Sequence, residues 1–489
     1  MQMRRRKGRK NMNILYAASE ARPYVASGGL ADVAGALPLA LNKKGHDCRV
    51  VIPLYKSIGD DARKEMTFIT SITVDVAWRK QYCGIFSAVH QGVTYYFIDN
   101  EYYFKRDGIY GFYDDCERFV FFSRAILEML RVIDFHPSVI NCNDWQTALT
   151  PVYYQIFYKY QEGFNNIHTV FTIHNIQYQG KYGKEVLNEL MGIPMYHANL
   201  LEYDGNVNMM KGAIETADKI TTVSPSYAWE ILDPWYSHGL DRALTNKQYK
   251  LTGFLNGIDV DSYNPATDEA LASDGYQQYD ADHLEKKLAC KRALCAELGL
   301  PQDDQPLVGI CTRFVAHKGI DLIRYVFEEM IQNGLHFAIL GSGERIYEDF
   351  FKEMAWRYPQ CVSVTIGFYP QRARRIYAGC DMFLMPSQSE PCGLAQMYSM
   401  RYGTIPIVRE TGGLRDSVRD AGGENGTGFT FKTYNAHDML GACLRARDAY
   451  NSKEVWQTIQ KQAMAADFSW AQSAELYLGL YRELENWNS

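Results

Sequence analysis

The chain has 489 residues, 47% of them apolar and 22% charged, with a formal net charge of −6. That length exceeds what one core supports and implies two or three domains, while the ordinary composition excludes disordered and collagen-like chains. No apolar run approaches the roughly 18 residues of a membrane helix, and the eleven cysteines include no C-x-x-C pair, which reads as reduced thiols in a cytoplasm without a disulfide framework or zinc site.

The opening MQMRRRKGRK carries six positive charges and no apolar segment. Residues 1–11 therefore read as a basic disordered tail rather than a signal peptide, with Met12 a candidate start. Without those six charges the net moves from −6 to −12, which argues against a nucleic-acid partner. From Asn13 a strand, loop and helix pattern repeats. Ile14 to Ala18 reads as a strand, Glu20 to Leu30 as a loop containing Ser27, Gly28 and Gly29, Ala31 to Lys43 as a helix and Cys48 to Pro53 as a second strand. Apolar runs near 139–142, 169–173, 219–223 and 253–255 continue the series. Short, continuously apolar strands alternating with helices point to a parallel sheet covered on both faces.

The polar segment from Asp259 to Asp282 reads as a junction and surface excursion, after which a second series begins, with strands near 307–312, 337–340, 363–366, 382–385 and 405–408. A last helix from Trp470 to Trp487 carries Leu476, Leu478, Leu480, Tyr481 and Leu484, which need burying. The expected fold class is α/β, with two Rossmann-like halves.

In doubly wound sheets ligands bind outside the carboxyl ends of the strands, at the topological switch. In the first half those ends offer Ser27-Gly28-Gly29, Asp32, Asn143-Asp144-Trp145 and His174-Asn175. In the second they offer Arg313 and Lys318, Gly341-Ser342-Gly343, Gly367-Phe368-Tyr369, Glu390 to Leu394, and Gly412-Gly413. Each has an ordinary alternative. Glu390 and Asp144 suit helix caps, His174 a satisfied core histidine, and Arg313 with Lys318 a solvated face. Their joint appearance at strand ends in both halves has one simple common cause, a cleft between two domains. A short echo, SGGLAD at 27–32 and TGGLRD at 411–416, places paired glycines where backbone could approach a ligand.

The segments SGGLADVAGALP, YFIDNEYYFKRDGIYG, NDWQTALTP, TIHNIQYQG, TTVSPSYA, LNGID, TRFVAHKG, PSQSEPCGLAQMYSMRYGTIPIVRETGGLRD and the closing FSW resemble, in order and over the whole chain from Met12, the bacterial glycogen synthase and plant starch synthase family. That resemblance implies a GT-B glycosyltransferase fold of two facing Rossmann-like domains with the active site in the interdomain cleft. The first domain, 12–255, would bind acceptor and the second, 256–467, the nucleotide sugar. Residues 468–489 would return to the first domain. The implied activity is retaining transfer of glucose from ADP-glucose to the non-reducing end of an α-1,4-glucan, without cofactor or metal.

Carried onto this sequence, the resemblance gives catalytic roles to Glu390, His174, Arg313 and Lys318. Donor contacts fall to Gly28, Gly29, Asn175, Asn256, Gly367, Phe368, Cys392, Gly393 and Leu394, and acceptor contacts to Asp32, Asp144 and Tyr110. Two fixed cations at a leaving diphosphate would lower the barrier directly. Three positions depart from common family patterns: Ala26 stands where many members have lysine, Phe368 replaces a frequent tyrosine, and Tyr398 occupies the place of a second glutamate found in related retaining transferases. A phosphorylase of this fold needs a lysine for pyridoxal phosphate, and none lies between Glu390 and Lys432. The remaining alternatives are a catalytically weakened glucan-binding protein, for which Ala26 is the foothold, and a glucosyltransferase that prefers another nucleotide sugar such as UDP-glucose.

Overall fold

The computed structural model describes residues 11–486, so the basic tail, apart from Asn11, and Trp487 lie outside the described residues. The chain divides into two compact units. The first takes the chain up to Val223, Ala228–Phe254 and everything from Trp470. The second takes Ser224–Tyr227 and Leu255–Ser469.

The first unit holds β1 (Asn13–Ala17), β2 (Asp47–Pro53), β3 (Thr67–Val76), β4 (Arg79–His90), β5 (Val93–Asp99), β6 (Val139–Asn143), β7 (His168–Ile173), β8 (Lys181–Tyr182), β9 (Glu202–Tyr203), β10 (Asn206–Asn208), β11 (Lys219–Thr222) and β12 (Leu251–Gly253). Nine of them form a sheet in the order β12-β11-β7-β6-β1-β2-β5-β4-β3. From β12 to β5 all pairings are parallel. All residues of β6 and β7 are buried, Asn141, Asn143 and Thr172 among them, and the apolar residues that predominate in both segments fit a sheet covered on both faces.

The sheet then continues into an antiparallel edge, β5-β4-β3, that the sequence reading passed over. Its hairpins turn on Ala77-Trp78 and Gln91-Gly92, with Ala77 and Gln91 at positive φ. Neither turn carries the Asn-Gly or Asp-Gly signal of a tight hairpin. The helix Trp470–Asn486 belongs to this unit. Leu478, Leu480, Tyr481 and Leu484 are buried, whereas Leu476 is 47% exposed, contrary to expectation. Tyr481 donates to Asn141 on β6, and Lys219–Glu483 and Lys44–Glu475 ion pairs fix the helix along its length.

The second unit has six parallel strands: β13 (Leu307–Phe314), β14 (His336–Gly343), β15 (Val362–Ile366), β16 (Met382–Met385), β17 (Ile405–Arg409) and β18 (Phe429–Phe431), in the order β15-β14-β13-β16-β17-β18. The segment 259–282 is more than a surface excursion, because Leu271, Tyr276 and Tyr279 are buried in the unit's core. Tyr398 packs against that core too, stacked on Tyr263 with ring centroids 3.7 Å apart. No helix among the described residues is long and apolar enough to cross a membrane.

Candidate active site

In the parallel part of each large sheet, one central strand has the chain continuing to either side of it. In the first unit β1 lies between β2 and β6; in the second β13 lies between β14 and β16. The carboxyl ends of those central strands form the crevice that a parallel sheet offers a ligand, and the polar residues singled out from the sequence gather there.

After β1 the chain enters the glycine loop. Glu20, buried at its base, accepts the amide hydrogen of Ser27, and its carboxylate reaches toward Gly28. Burial raises its pKa, against the lowering by the hydrogen bonds from Ser27 and Gly28. Sequence reading missed Glu20; an acidic residue directly after a buried strand was the available signal. A Cβ on Gly29 would meet nothing within 4 Å, so that backbone is open to approach. Asp32 turns instead to Arg22, with which it forms an ion pair.

After β6, Asp144 sits at φ 56° and ψ −178°, a combination nearly confined to glycine that costs on the order of 1–3 kcal/mol. It does not cap the short helical turn that follows. Its carboxylate crosses to the next loop and accepts the amide hydrogens of His174 at 2.7 Å and Asn175 at 3.4 Å. Burial, only partly offset by those bonds, raises the Asp144 carboxyl to about 7.

His174 Nε2 lies 2.9 Å from Asn143 Oδ1. Asn143 spends its amide hydrogens on Ala17 O and Asn141 O, so its Oδ1 is the acceptor and Nε2 carries the imidazole proton. Burial pushes His174 down to about 3, which makes it a neutral ring with Nδ1 as acceptor. Tyr110 is drawn to the same place by Ser19, with 2.6 Å between their hydroxyl oxygens. Burial raises its phenol well above the usual range, and Glu20 and Asp144 add to the effect. The first unit thus gathers Gly28, Glu20, Tyr110, Asp144, His174 and Asn175 around one strand-end crevice.

In the second unit Lys318, in the turn after β13, donates to Glu390 Oε2 at 2.6 Å, and Ser387 Oγ donates to the same oxygen at 3.0 Å. Glu390 therefore does not cap the helix Ala395–Arg401, whose N-cap position is Leu394, without a side-chain cap bond. Gly319, next to Lys318, has φ +78°, and a Cβ there would lie 2.1 Å from Pro386 O. Only glycine lets the two strand-end loops approach this closely. Arg313 is exposed at the end of β13, and its side chain makes no hydrogen bond or ion pair within the described residues.

Cys392 is buried, accepts the Asn256 amide hydrogen at its sulfur and has its thiol pushed up to about 12 by burial. Gln396, unnoticed in the sequence, donates to Cys392 O, Gly393 O and Ser417 Oγ and so fixes the turn at Gly393, whose φ is +70°. Asn256 is only 7% exposed, and its Oδ1 has no hydrogen-bond partner within the described residues. Gly367 and Phe368 stand apart at the end of β15, two strands from β13. The Phe368 ring is 86% exposed.

The remaining glycines serve the fold. A Cβ on Gly341 or Gly343 would strike the β13 backbone at 2.0 or 2.2 Å. Gly412 and Gly413 receive the backbone of Glu390 to Cys392, with a Cβ on Gly413 falling 2.0 Å from Cys392 O. The two halves of the SGGLAD and TGGLRD echo are therefore used differently: one stays open and the other is filled by protein.

Comparison with known proteins gives a consistent picture. Residues 13–246 match a model described as starch synthase catalytic domain, and residues 297–461 one described as glycosyl transferases group 1. A glycogen synthase from Anoxybacillus flavithermus is 49% identical over 478 residues, covering 97% of this chain and 98% of that one. One from Bacillus anthracis is 48% identical over 480 residues, covering 97% and 100%. Among solved structures, the catalytic domain of starch synthase IV from Arabidopsis thaliana, bound to ADP and acarbose, matches with a TM-score of 0.87 and 34% identity over 98% of this chain and 100% of that one. Sucrose-phosphate synthase from Thermosynechococcus elongatus matches with a TM-score of 0.60 at 16% identity, over 97% of this chain and 99% of that one, a likeness of fold alone.

Proposed function

The chain belongs to the glycogen synthase family of glycosyltransferases, built on the two-domain GT-B fold, and from that premise we propose that it transfers glucose from ADP-glucose to the non-reducing end of an α-1,4-glucan with retention of configuration. The observation that carries the reading is the Lys318–Glu390 pair at the switch point of the second sheet, with Arg313 exposed on the adjoining strand end. In the reaction the bond between the anomeric carbon and the diphosphate oxygen breaks, that carbon bonds to O4 of the terminal glucose, and the O4 proton leaves with ADP. Negative charge grows on the diphosphate, where the Lys318 ammonium and Arg313 guanidinium stabilise it. Glu390 holds Lys318 in place and contacts the glucose.

The buried acceptor Asn256 Oδ1 has no partner among the described residues, and a donor-sugar hydroxyl would satisfy it. The exposed Phe368 ring offers a face on which adenine stacks. In the first unit, neutral His174 and Asn175 face the transferred glucose, the Gly28-Gly29 amides the donor, and Asp144, Asp32 and Tyr110 the acceptor. The reading includes a cytoplasmic location, which suits eleven free cysteines.

The test is incubation with ADP-glucose and a short maltooligosaccharide. One glucose added per ADP released, as an α-linkage, is the expected result, and a parallel UDP-glucose reaction fixes the donor. Glucan binding without elongation by either donor would favour the alternative of weakened catalysis, to which the exposed Ala26 gives a specific cause.

A further inference from the structure

Four residues, Ser224–Tyr227, group with the second unit, although Val223 before them and Ala228 after them belong to the first. The fully buried Ser224 hydroxyl accepts the Tyr227 amide hydrogen at 3.2 Å, capping the helix Pro225–Glu230, and donates to Pro391 O at 2.6 Å. Proline at the first helical position makes that cap the expected one. Two residues on, Ser226 grips Asp416 twice, with its amide on Oδ2 and its hydroxyl on Oδ1, both at 2.7 Å.

Asp416 lies on the helix Gly412–Ser417, and the Gly413 amide of that helix donates to Glu390 O at 3.1 Å and Pro391 O at 3.2 Å. Strap, helix and Glu390 loop therefore close a ring in which each member is bonded to the other two. The glycines leave no slack under it, because a Cβ on Gly412 would fall 2.1 Å from Glu390 O. The backbone that aims Glu390 at Lys318 can shift only if the ring opens.

We infer that Ser224, Ser226 and Asp416 are positioning residues for the glucosyl transfer, holding the Glu390 carboxylate against Lys318 through Pro391 and Gly413. The inference rests on the function proposed for that site. In the proposed reaction none of the three is assigned a substrate contact. Ser226 is half-buried and Asp416 exposed, so truncating either strands no fully buried group and leaves the fold intact, whereas Ser224 is both cap and tether.

The experiment compares wild type, Ser226→Ala, Asp416→Ala, the double variant and Ser226→Thr, using ADP-glucose and maltooligosaccharide, with thermal midpoints measured alongside. Misplacement of a catalytic group by a fraction of an ångström predicts about a tenfold fall in kcat in each alanine variant. The double variant falls no further, because the ring is opened once. The glucan KM stays unchanged, the midpoint moves by less than roughly 2 °C as for surface substitutions generally, and Ser226→Thr keeps kcat. Unchanged kcat in either alanine variant, additive losses, or losses that track a falling midpoint overturn the inference alone. Wild-type protein inactive with every nucleotide sugar overturns the functional reading and this inference with it.

Discussion

Breaking the Lys318–Glu390 pair has two separable consequences, one for stability and one for turnover. The charged atoms lie 2.6 Å apart, and the side chains are 17% and 9% exposed, so the pair is little screened. Coulomb's law at that distance, with an effective dielectric of about 20, gives roughly 6 kcal/mol of gross attraction. Desolvation of both groups offsets much of it, and the quantity an experiment reads is the cost of stranding one charge, about 3–5 kcal/mol. Lys318→Met leaves the Glu390 carboxylate with Ser387 as its remaining side-chain partner. For a unit of this size that corresponds to a fall in midpoint on the order of 10 °C. Glu390→Gln strands the ammonium beside a neutral acceptor and costs less.

The double variant Lys318→Met/Glu390→Gln removes both charges and recovers stability to within about 1 kcal/mol of wild type, since an uncharged pair of similar volume is well tolerated. Turnover behaves differently. Loss of the Lys318 cation removes about 2.7–4 kcal/mol of transition-state stabilisation, a hundred- to thousandfold in kcat, and the double variant stays inactive. Urea unfolding and ADP release measured on the four proteins complete both cycles. Stability losses that simply add, or full turnover in either single variant, would refute the reasoning.

Asp144 and His174 predict opposing pH dependences. The Asp144 carboxyl, raised to about 7, keeps a proton that the unfolded chain sheds near pH 4, so its contribution is present at low pH and lost as pH rises toward 7. His174, lowered to about 3, stays neutral where the unfolded chain protonates below about pH 6.5, so its contribution is lost as pH falls. The slopes oppose between pH 4 and 6.5, and Asp144→Asn should unmask the histidine: its urea midpoint falls on acidification over that window while wild type stays nearly flat. Gly479→Ala, inside the last helix with nothing within 4 Å of the new Cβ, should stabilise by about 0.5–1 kcal/mol. Gly413→Ala, which drives a methyl onto Cys392 O, should lower both midpoint and kcat. Ala26→Lys places a cation beside the open Gly28-Gly29 amides and should tighten ADP-glucose binding; an unchanged or higher Kd by calorimetry counts against that role.

What the sequence made legible follows from where the information sits. A strand such as β16, Met382–Met385, announces itself as an apolar run and β6 and β7 as mainly apolar segments, and the rule that ligands gather at strand carboxyl ends then selects Lys318 and Glu390 without knowledge of the sheet order. The antiparallel edge β3-β4-β5 was passed over, because β3 and the first residues of β4 are largely exposed and form no buried run, and its turns lack the usual residues. The use made of each polar residue was not legible. Asp144 is legible as a helix-start residue, but its carboxylate is turned to the next loop by a backbone conformation that no local rule anticipates. The paired glycines carry the same letters twice and meet opposite environments. Composition and period specify which segments are buried and where they end. Whether a polar group at such an end braces the scaffold or stays open to a ligand depends on contacts far apart in sequence, as when Ser226 finds Asp416 across 190 positions, and there only the folded chain decides.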